Sequence, residues 1–260
     1  EGFDLRKMGE FSADAIHLAV EALKLAMADR DEYYGDPEFV AVPLKELLSD
    51  TYTNLRRPLI DIRKASLEVR PGDPLNLKAL KGSGVYRPGI GGTTTCVVAD
   101  RWGNVISATP SANVPQNVRD GGKAGVTMSN RLRSLNTTPG HPNCIQPGKR
   151  PRITLTPTLV LKDGKPVMAI SVAGGDLQDQ VTLNLLLNAI DFGMGPAESV
   201  TAPRFATGHH EDSFDPNPDR KETFKSPGSL TLNEAISQDV QEDLAERGHQ
   251  IESKTEPIGR

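Results

Sequence analysis

Cysteine is scarce in this chain. Cys96 and Cys144 are the two in 260 residues, too few for a disulfide framework, and neither stands in a C-x-x-C pair. Long apolar runs are missing as well: the longest charge-free apolar stretches, Ile153–Leu161 and Val181–Ile190, are about half of the ~18 residues that a membrane span needs. No sign of charge dominates, since 30 Lys and Arg stand against 34 Asp and Glu, a formal net charge of −4. That balance gives no electrostatic footprint for nucleic acid or an anionic bilayer. A signal peptide is absent too, but the chain opens on Glu1 rather than Met. The compartment therefore stays open between bacterial cytoplasm, periplasm and secretion. DNA-binding, membrane-spanning and knottin-like classes are excluded. With 37% hydrophobic and 25% charged residues, the chain has the composition of one large or two small domains able to hold a core without metals or disulfides.

What is abundant is glycine and proline, 24 and 20 residues, which predicts many turns. The first third reads helical. Ser12 is a plausible N-cap, and Ile16, Val20, Leu23 and Met27 form one stripe of a 3.6-residue period, with Gly35 as the stop. Pro43 predicts a short second helix through Leu48, and a third runs from Tyr52 to about Leu67, kinked or divided at Pro58. From Pro71 to Gly92 the glycines and prolines predict an irregular, mobile linker.

The character then changes to strand. Thr93–Asp100 and Val105–Thr109 flank a turn at Arg101–Asn104 and predict a hairpin whose first strand is expected to be buried. A loop-rich stretch spans 110–152. A second hairpin pairs Ile153–Leu161 with Pro166–Val172 around Asp163-Gly164. Gly174-Gly175 opens a largely apolar helix from about Asp176 to Phe192, expected to be buried. The polar, proline-interrupted segment 205–228 is expected to be exposed. A last amphipathic helix carries Ile236, Val240 and Leu244 and ends at Gly248. Helices, hairpins and packing helices together predict layers of α on β.

Thr93 is the first candidate for chemistry, because it follows a glycine-rich tether and starts a strand. If the Gly92–Thr93 bond were cut, Thr93 would gain a free α-amine with a reference pKa of about 7.7–8.0. Nucleophile and general base would then reside in one residue. The competing reading is an ordinary strand start. Gly174-Gly175 is the second candidate: at a helix entrance, unpaired N–H groups and the helix dipole favour negative charge, as an oxyanion hole requires. Its competing reading is a tight packing turn. His209-His210-Glu211-Asp212 lacks helical spacing and further ligands, so a solvated loop is expected rather than a metal site. Gly148-Lys149-Arg150 lacks phosphate-loop spacing, Asn136-Thr137-Thr138 is an acceptor pattern that matters only in a secretory setting, and Cys96 is expected to be a small buried core residue.

Taken together, the segments resemble the γ-glutamyltransferase (γ-glutamyltranspeptidase) family. Ser12-Ala13-Asp14, Glu21–Ala26, Ala28-Asp29-Arg30 and Tyr34-Gly35-Asp36-Pro37 look like the end of the family's large subunit. Thr93-Thr94, Asp100 and Gly103-Asn104-Val105 look like the start of its small subunit. Lys149-Arg150-Pro151, Thr156-Pro157-Thr158, Lys162–Lys165, Gly174-Gly175, Asn188–Asp191 and Ala202–Phe205 continue it in order.

The resemblance implies an α+β fold, a four-layer αββα sandwich of the N-terminal-nucleophile hydrolase type, present here as a fragment. It implies a precursor that cleaves itself between Gly92 and Thr93, giving residues 1–92 as the end of the large subunit plus linker and 93–260 as most of the small, catalytic subunit. Thr93 then attacks an amide and passes the acyl group to water or an amine. Ser111 orients Thr93, Gly174 and Gly175 hold the oxyanion, and Asn113 contacts the amino end of a γ-glutamyl group. Neither cofactor nor metal is implied. The partners are a small-molecule amide or γ-glutamyl substrate and the large subunit of the same precursor, with no nucleic acid or membrane; the oligomeric state, a homo-oligomer included, stays open.

Four positions depart from the family's pattern. Arg131 and Ser134 fall where the family places a glutamine and an aspartate, the latter the partner of the substrate ammonium. Ile153 and Thr154 replace paired serines that receive the α-carboxylate. Losing the buried counter-charge costs about 3–5 kcal/mol, so the catalytic parts are kept while the γ-glutamyl pocket is altered, as in the family's acylase branch. Members of the family carry several hundred residues before the equivalent of Glu1 and continue beyond Arg260. The alternatives are a true γ-glutamyltransferase acting on glutathione and a non-catalytic relative serving as a scaffold.

Overall fold

Ser12 caps the longest helix. The computed structural model of the protein describes residues 2–79, 93–111, 123, 129, 131–219, 222–224 and 226–259. After a single helical turn, α1 (Leu5–Met8), comes α2 (Ala13–Tyr33), whose first turn is closed by Ala15 N–H donating to Ser12 Oγ at 3.1 Å. A one-turn α3 (Leu44–Leu47) precedes α4 (Asp50–Arg56), capped by Ser49 Oγ, and a 3₁₀ turn over Arg57–Leu59. The third helix therefore stops at Leu59 and does not reach Leu67, because Pro58 has no N–H to continue the ladder. In the stretch expected to be irregular, β1 (Gly72–Asp73) and β2 (Lys78–Ala79) make a minimal hairpin. Its turn is held by Asp73 Oδ1, which accepts from the N–H groups of Leu75 and Asn76.

The next two hairpins fall where expected, with shorter strands. β3 (Cys96–Ala99) pairs antiparallel with β4 (Val105–Ala108), and Asp100 closes the turn by accepting from Trp102 and Asn104 N–H at 2.9 Å each. The strand is not buried: every residue of β3 is exposed, Cys96 included. A two-stranded ribbon has two faces, and the contacts of this one run to the next hairpin through Ser107 Oγ, which donates to the Ile170 carbonyl. β5 (Thr158–Lys162) pairs with β6 (Lys165–Ile170) around Asp163-Gly164, both at positive φ (53° and 74°), the pair of conformations that a tight hairpin turn demands. β5 starts at Thr158 rather than Ile153, directly after Pro157, which cannot donate to a ladder.

α5 (Leu177–Leu186) runs on as a π-helical turn over Leu187–Asp191. Its buried residues are mostly polar, Gln178, Gln180, Thr182 and Asn184, not the apolar face expected. Two of them act as substitute strand backbone. Gln180 accepts from Thr207 N–H at 2.7 Å and donates to the Thr207 carbonyl at 2.9 Å, while Asn184 exchanges the same pair of bonds with Phe205 at 3.2 Å each. After α6 (Pro196–Thr201) come β7 (Phe205–Ala206), β8 (Ser229–Asn233), α7 (Gln238–Glu246) and β9 (Gln250–Lys254). β7 and β8 are antiparallel, whereas β8 and β9 are parallel with α7 as the crossover. The main core joins α2 to this sheet and to α7 through Ile16, Val20, Phe205, Leu230, Leu232 and Leu244. Residues before and after Thr93 thus share one core in an α+β arrangement.

Segment 205–214, expected to be exposed, is buried. His209, His210, Glu211 and Asp212 are 1%, 2%, 1% and 5% exposed, because α2 supplies charged partners that no local pattern announces. His209 Nδ1 accepts from Gly228 N–H and its Nε2 donates to the Glu68 carbonyl, which fixes a neutral ring. Burial pushes His209 down to about 3, and burial followed by the positive charge of Lys24 does the same to His249. An unfolded histidine titrates near 6.5. The stabilising effect of keeping both rings neutral is therefore full above that pH and declines as pH falls from about 6.5 toward 3. Thermal unfolding midpoints are expected to drop between pH 7 and pH 5, with a slope of up to about 1.4 kcal/mol per pH unit per histidine, and H209Q should flatten that slope.

Candidate active site

The antiparallel register of β3 and β4 continues beyond the strands. Cys96 lies opposite Ala108, Thr94 N–H donates to the Pro110 carbonyl at 3.0 Å, and Thr93 comes beside Ser111. Their hydroxyls meet, with Thr93 Oγ1 donating to Ser111 Oγ at 3.2 Å. Arg131, at the start of a 3₁₀ turn (Arg131–Ser134), donates from Nη2 to the same Ser111 oxygen at 2.5 Å. The sequence candidates Thr93, Ser111 and Arg131 thus form one hydrogen-bonded group. The Arg131 guanidinium stacks over the Phe214 ring at 4.8 Å, and Arg133 donates from Nε to the Phe214 carbonyl at 2.6 Å. Burial and the charge of Arg133 hold Arg131 below the usual arginine range. Its Nε and Nη1 are buried with no hydrogen-bond partner among the described residues.

The twin-glycine turn is reached from the neighbouring hairpin. Thr109 and Ser171 hydroxyls lie 2.8 Å apart, and Ser171 Oγ donates to the Ala108 carbonyl. From this contact one chain runs on to Ser111 and the other to Gly174-Gly175. Both glycines have positive φ, 138° and 61°, a pair of conformations open to residues without a Cβ. Their carbonyls accept from Leu177 and Gln178 N–H at 3.1 Å each, while their own N–H groups make no hydrogen bond among the described residues. A Cβ on Gly175 would stand 3.0 Å from the Phe214 ring, so Phe214 touches both the turn and Arg131. Gly174 and Gly175 also line a cavity of about 360 Å³ with His210, Asp212, Phe214 and Ser229.

The other sequence candidates are held by different contacts. Ser134 is buried, and its carbonyl accepts from Asn143 Nδ2 at 2.5 Å. Ile153 is 58% exposed, whereas Thr154 is buried with a hydroxyl that has no partner among the described residues. Asn113 and Gly92 lie outside the described residues. One potential metal-ligating group occurs among the described residues, His17, Glu21 and His249. Its carboxylate is already held by Lys24 at 2.6 Å and Arg70 at 3.0 Å, and the two imidazoles hydrogen-bond each other at 2.8 Å, so the group is satisfied without an ion.

The sequence reading missed a buried charge network behind the glycines. Arg30 on α2 reaches Asp176 at 2.8 Å, Asp31 at 3.0 Å and Asp179 at 3.4 Å, while Arg152 bridges Asp31 and Glu211 at 3.1 and 3.4 Å. Burial alone would raise the Asp176 carboxyl, but Arg30, His210 and Arg152 hold it below the ordinary range. A charged residue directly after two glycines at a helix entrance was the one signal in the sequence.

Comparison with known proteins gives this geometry a context. A family model described as gamma-glutamyltranspeptidase matches residues 1–260. The glutathione hydrolase proenzyme of Escherichia coli (strain K12) is 35% identical over 253 residues, covering 92% of this chain and 41% of that protein. The acylase ACY 1 proenzyme of Pseudomonas sp. (strain SE83) is 32% identical over 258 residues, 96% of this chain and 40% of its own. The crystal structure of cephalosporin acylase from Bacillus halodurans superposes with a TM-score of 0.75 at 26% identity, over 100% of this chain and 42% of that one. This chain therefore spans about two fifths of the length of the curated relatives it matches. The α+β fold of the N-terminal-nucleophile hydrolases is the one it shares with them. On a match that runs from the first residue to the last, this chain belongs to the gamma-glutamyltranspeptidase family.

Proposed function

We propose that this chain is part of a self-processing amidohydrolase or acyltransferase in which Thr93 is the nucleophile. The observation that carries the reading is the hydrogen-bonded group of Thr93, Ser111 and Arg131, linked through Phe214 to two glycine N–H groups with no partner among the described residues. In maturation, Thr93 Oγ1 adds to the Gly92 carbonyl carbon and the Gly92–Thr93 C–N bond breaks. Water then hydrolyses the resulting ester, leaving a carboxylate on Gly92 and a free amine on Thr93. That division gives parts 1–92 and 93–260. In turnover the amine takes the Oγ1 proton, Oγ1 attacks the substrate amide, and the Gly174 and Gly175 N–H groups receive the tetrahedral oxyanion. The amine of the substrate leaves with the proton, and water or a second amine releases the acyl group. The test is the mass of the full-length precursor after expression: two species divided between residues 92 and 93 are expected, and a chain that stays whole would count against the reading.

The acyl group is proposed to differ from γ-glutamyl. Arg131 brings beside Ser111 a cation with no acidic partner among the described residues, and Ser134 offers no carboxylate to a substrate ammonium. The glutathione hydrolase relatives favour the other assignment by name, and p-nitroaniline release separates the two. Turnover of γ-glutamyl-p-nitroanilide is expected to be at least about 100-fold slower than that of the des-amino analogue glutaryl-p-nitroanilide, the equivalent of roughly 3 kcal/mol for the missing counter-charge. Equal rates would overturn the altered-pocket reading.

A further inference from the structure

Two consecutive glycines at φ 138° and 61° do not hold themselves in that conformation. Glycine has the widest choice of backbone states, so an oxyanion site built on a pair of them needs an outside restraint. The next residue, Asp176, stands at the N-cap position of α5, where an aspartate ordinarily caps the helix. It does not do so here: its backbone is already helical (φ −67°, ψ −7°) and its side chain makes no capping bond. The carboxylate, 8% exposed, is directed instead to Arg30 Nη1 at 2.8 Å, Ser213 Oγ at 2.6 Å and Ser213 N–H at 2.9 Å.

Each of those partners is itself fixed. Arg30 also donates from Nε to Asp31 at 3.0 Å and from Nη2 to the Glu211 carbonyl at 3.4 Å. Ser213 precedes Phe214, whose ring packs on Gly175 and carries Arg131, the donor to Ser111. One carboxylate therefore sets both the twin-glycine turn and the aromatic wall that reaches the Thr93–Ser111 pair.

We propose that the Arg30–Asp176 pair, closed by Ser213, is the positioning element of the acyl-transfer site and holds the oxyanion turn from the segment that precedes Thr93. The inference rests on the reading of Thr93 as nucleophile and of the twin glycines as oxyanion donors. Asp176 touches no reacting atom; it acts through the glycine backbone. Because Arg30 lies before the Gly92–Thr93 bond and Asp176 after it, this pair also makes the site depend on the N-terminal part staying in place after cleavage.

The experiment uses the full-length protein and p-nitrophenyl acetate, a small activated ester that acylates a nucleophile without acyl recognition. T93A is expected to show no p-nitrophenolate burst. D176N keeps the shape but removes the charge; its acylation rate at saturating ester should fall about 10- to 100-fold, the scale of a misplaced oxyanion donor. The half-saturating ester concentration should stay within about twofold, a split that general loss of structure would not give. S213A removes one of the three bonds, should slow acylation about three- to tenfold, and decides the matter if D176N does not fold. If T93A has no burst while D176N or S213A acylates within twofold of the parent, the positioning role is wrong and the nucleophile stands. A burst that survives T93A removes the nucleophile reading, and this proposal with it.

Discussion

Thr93→Ala is expected to leave the precursor in one piece and to lower amide turnover at least about 10⁴-fold, the scale on which removal of a catalytic nucleophile acts. The expectation follows from the economy of the group. Among the described residues Thr93 Oγ1 has one side-chain partner, Ser111, and no imidazole or carboxylate in hydrogen-bond contact with it, so none of them is placed as a base to activate water in its stead. Thr93→Ser keeps both hydroxyl and potential amine and should retain cleavage, within about tenfold of the parent rate. Mass spectrometry for cleavage and p-nitroanilide assays for turnover measure the two effects separately. A Thr93→Ala protein that still divides between residues 92 and 93 would place the nucleophile elsewhere.

Arg30→Met should destabilise the fold by about 3–5 kcal/mol, the cost of leaving buried carboxylates without their cation. Asp176 would be left with the two Ser213 donors, while Asp31 would still have Arg152 at 3.1 Å. The sign of the charge effect can be separated from lost packing. A double substitution, Arg30→Met with Asp176→Leu, removes both charges and is expected to cost less than Arg30→Met alone, since a buried pair is roughly neutral against an apolar replacement while a broken one is not. Urea unfolding of the three proteins measures it. A single-variant loss below about 1 kcal/mol would show that water reaches the site and the network does not stabilise the fold.

Elements with strong local signals were legible in the sequence. Ser12 caps α2, Asp163-Gly164 turns the second hairpin, and Gly248 follows the end of α7, because each of these is decided by a side chain within a few residues of the feature it controls. Thr93 stood out by its glycine-rich approach, and Ser111 entered through family resemblance; the structure shows the pairing is also a matter of register, which extends from Cys96–Ala108 to the two hydroxyls. Arg131 was read as a substituted pocket residue, while its bond to Ser111 spans 20 residues and has no local trace. The strand β3 was expected to be buried and is exposed, while its partner β4 is mostly half-buried, since valine and threonine content announces a strand but not what covers it.

The histidine-rich segment shows the boundary most clearly. His209–Asp212 has the composition of a solvated loop, and its burial depends on Arg30, Asp31 and Arg152, partners about 180 and 60 residues away in sequence. The same holds for Asp176, which any local rule would make a helix cap. By itself the amino-acid sequence determined the caps, turns and strand-forming runs and the tethered threonine, because backbone preference acts over a few residues. Only the tertiary structure decided which charges are buried and which glycine amides have no partner among the described residues, because charge burial is tolerated only where a distant opposite charge is brought within about 3–4 Å.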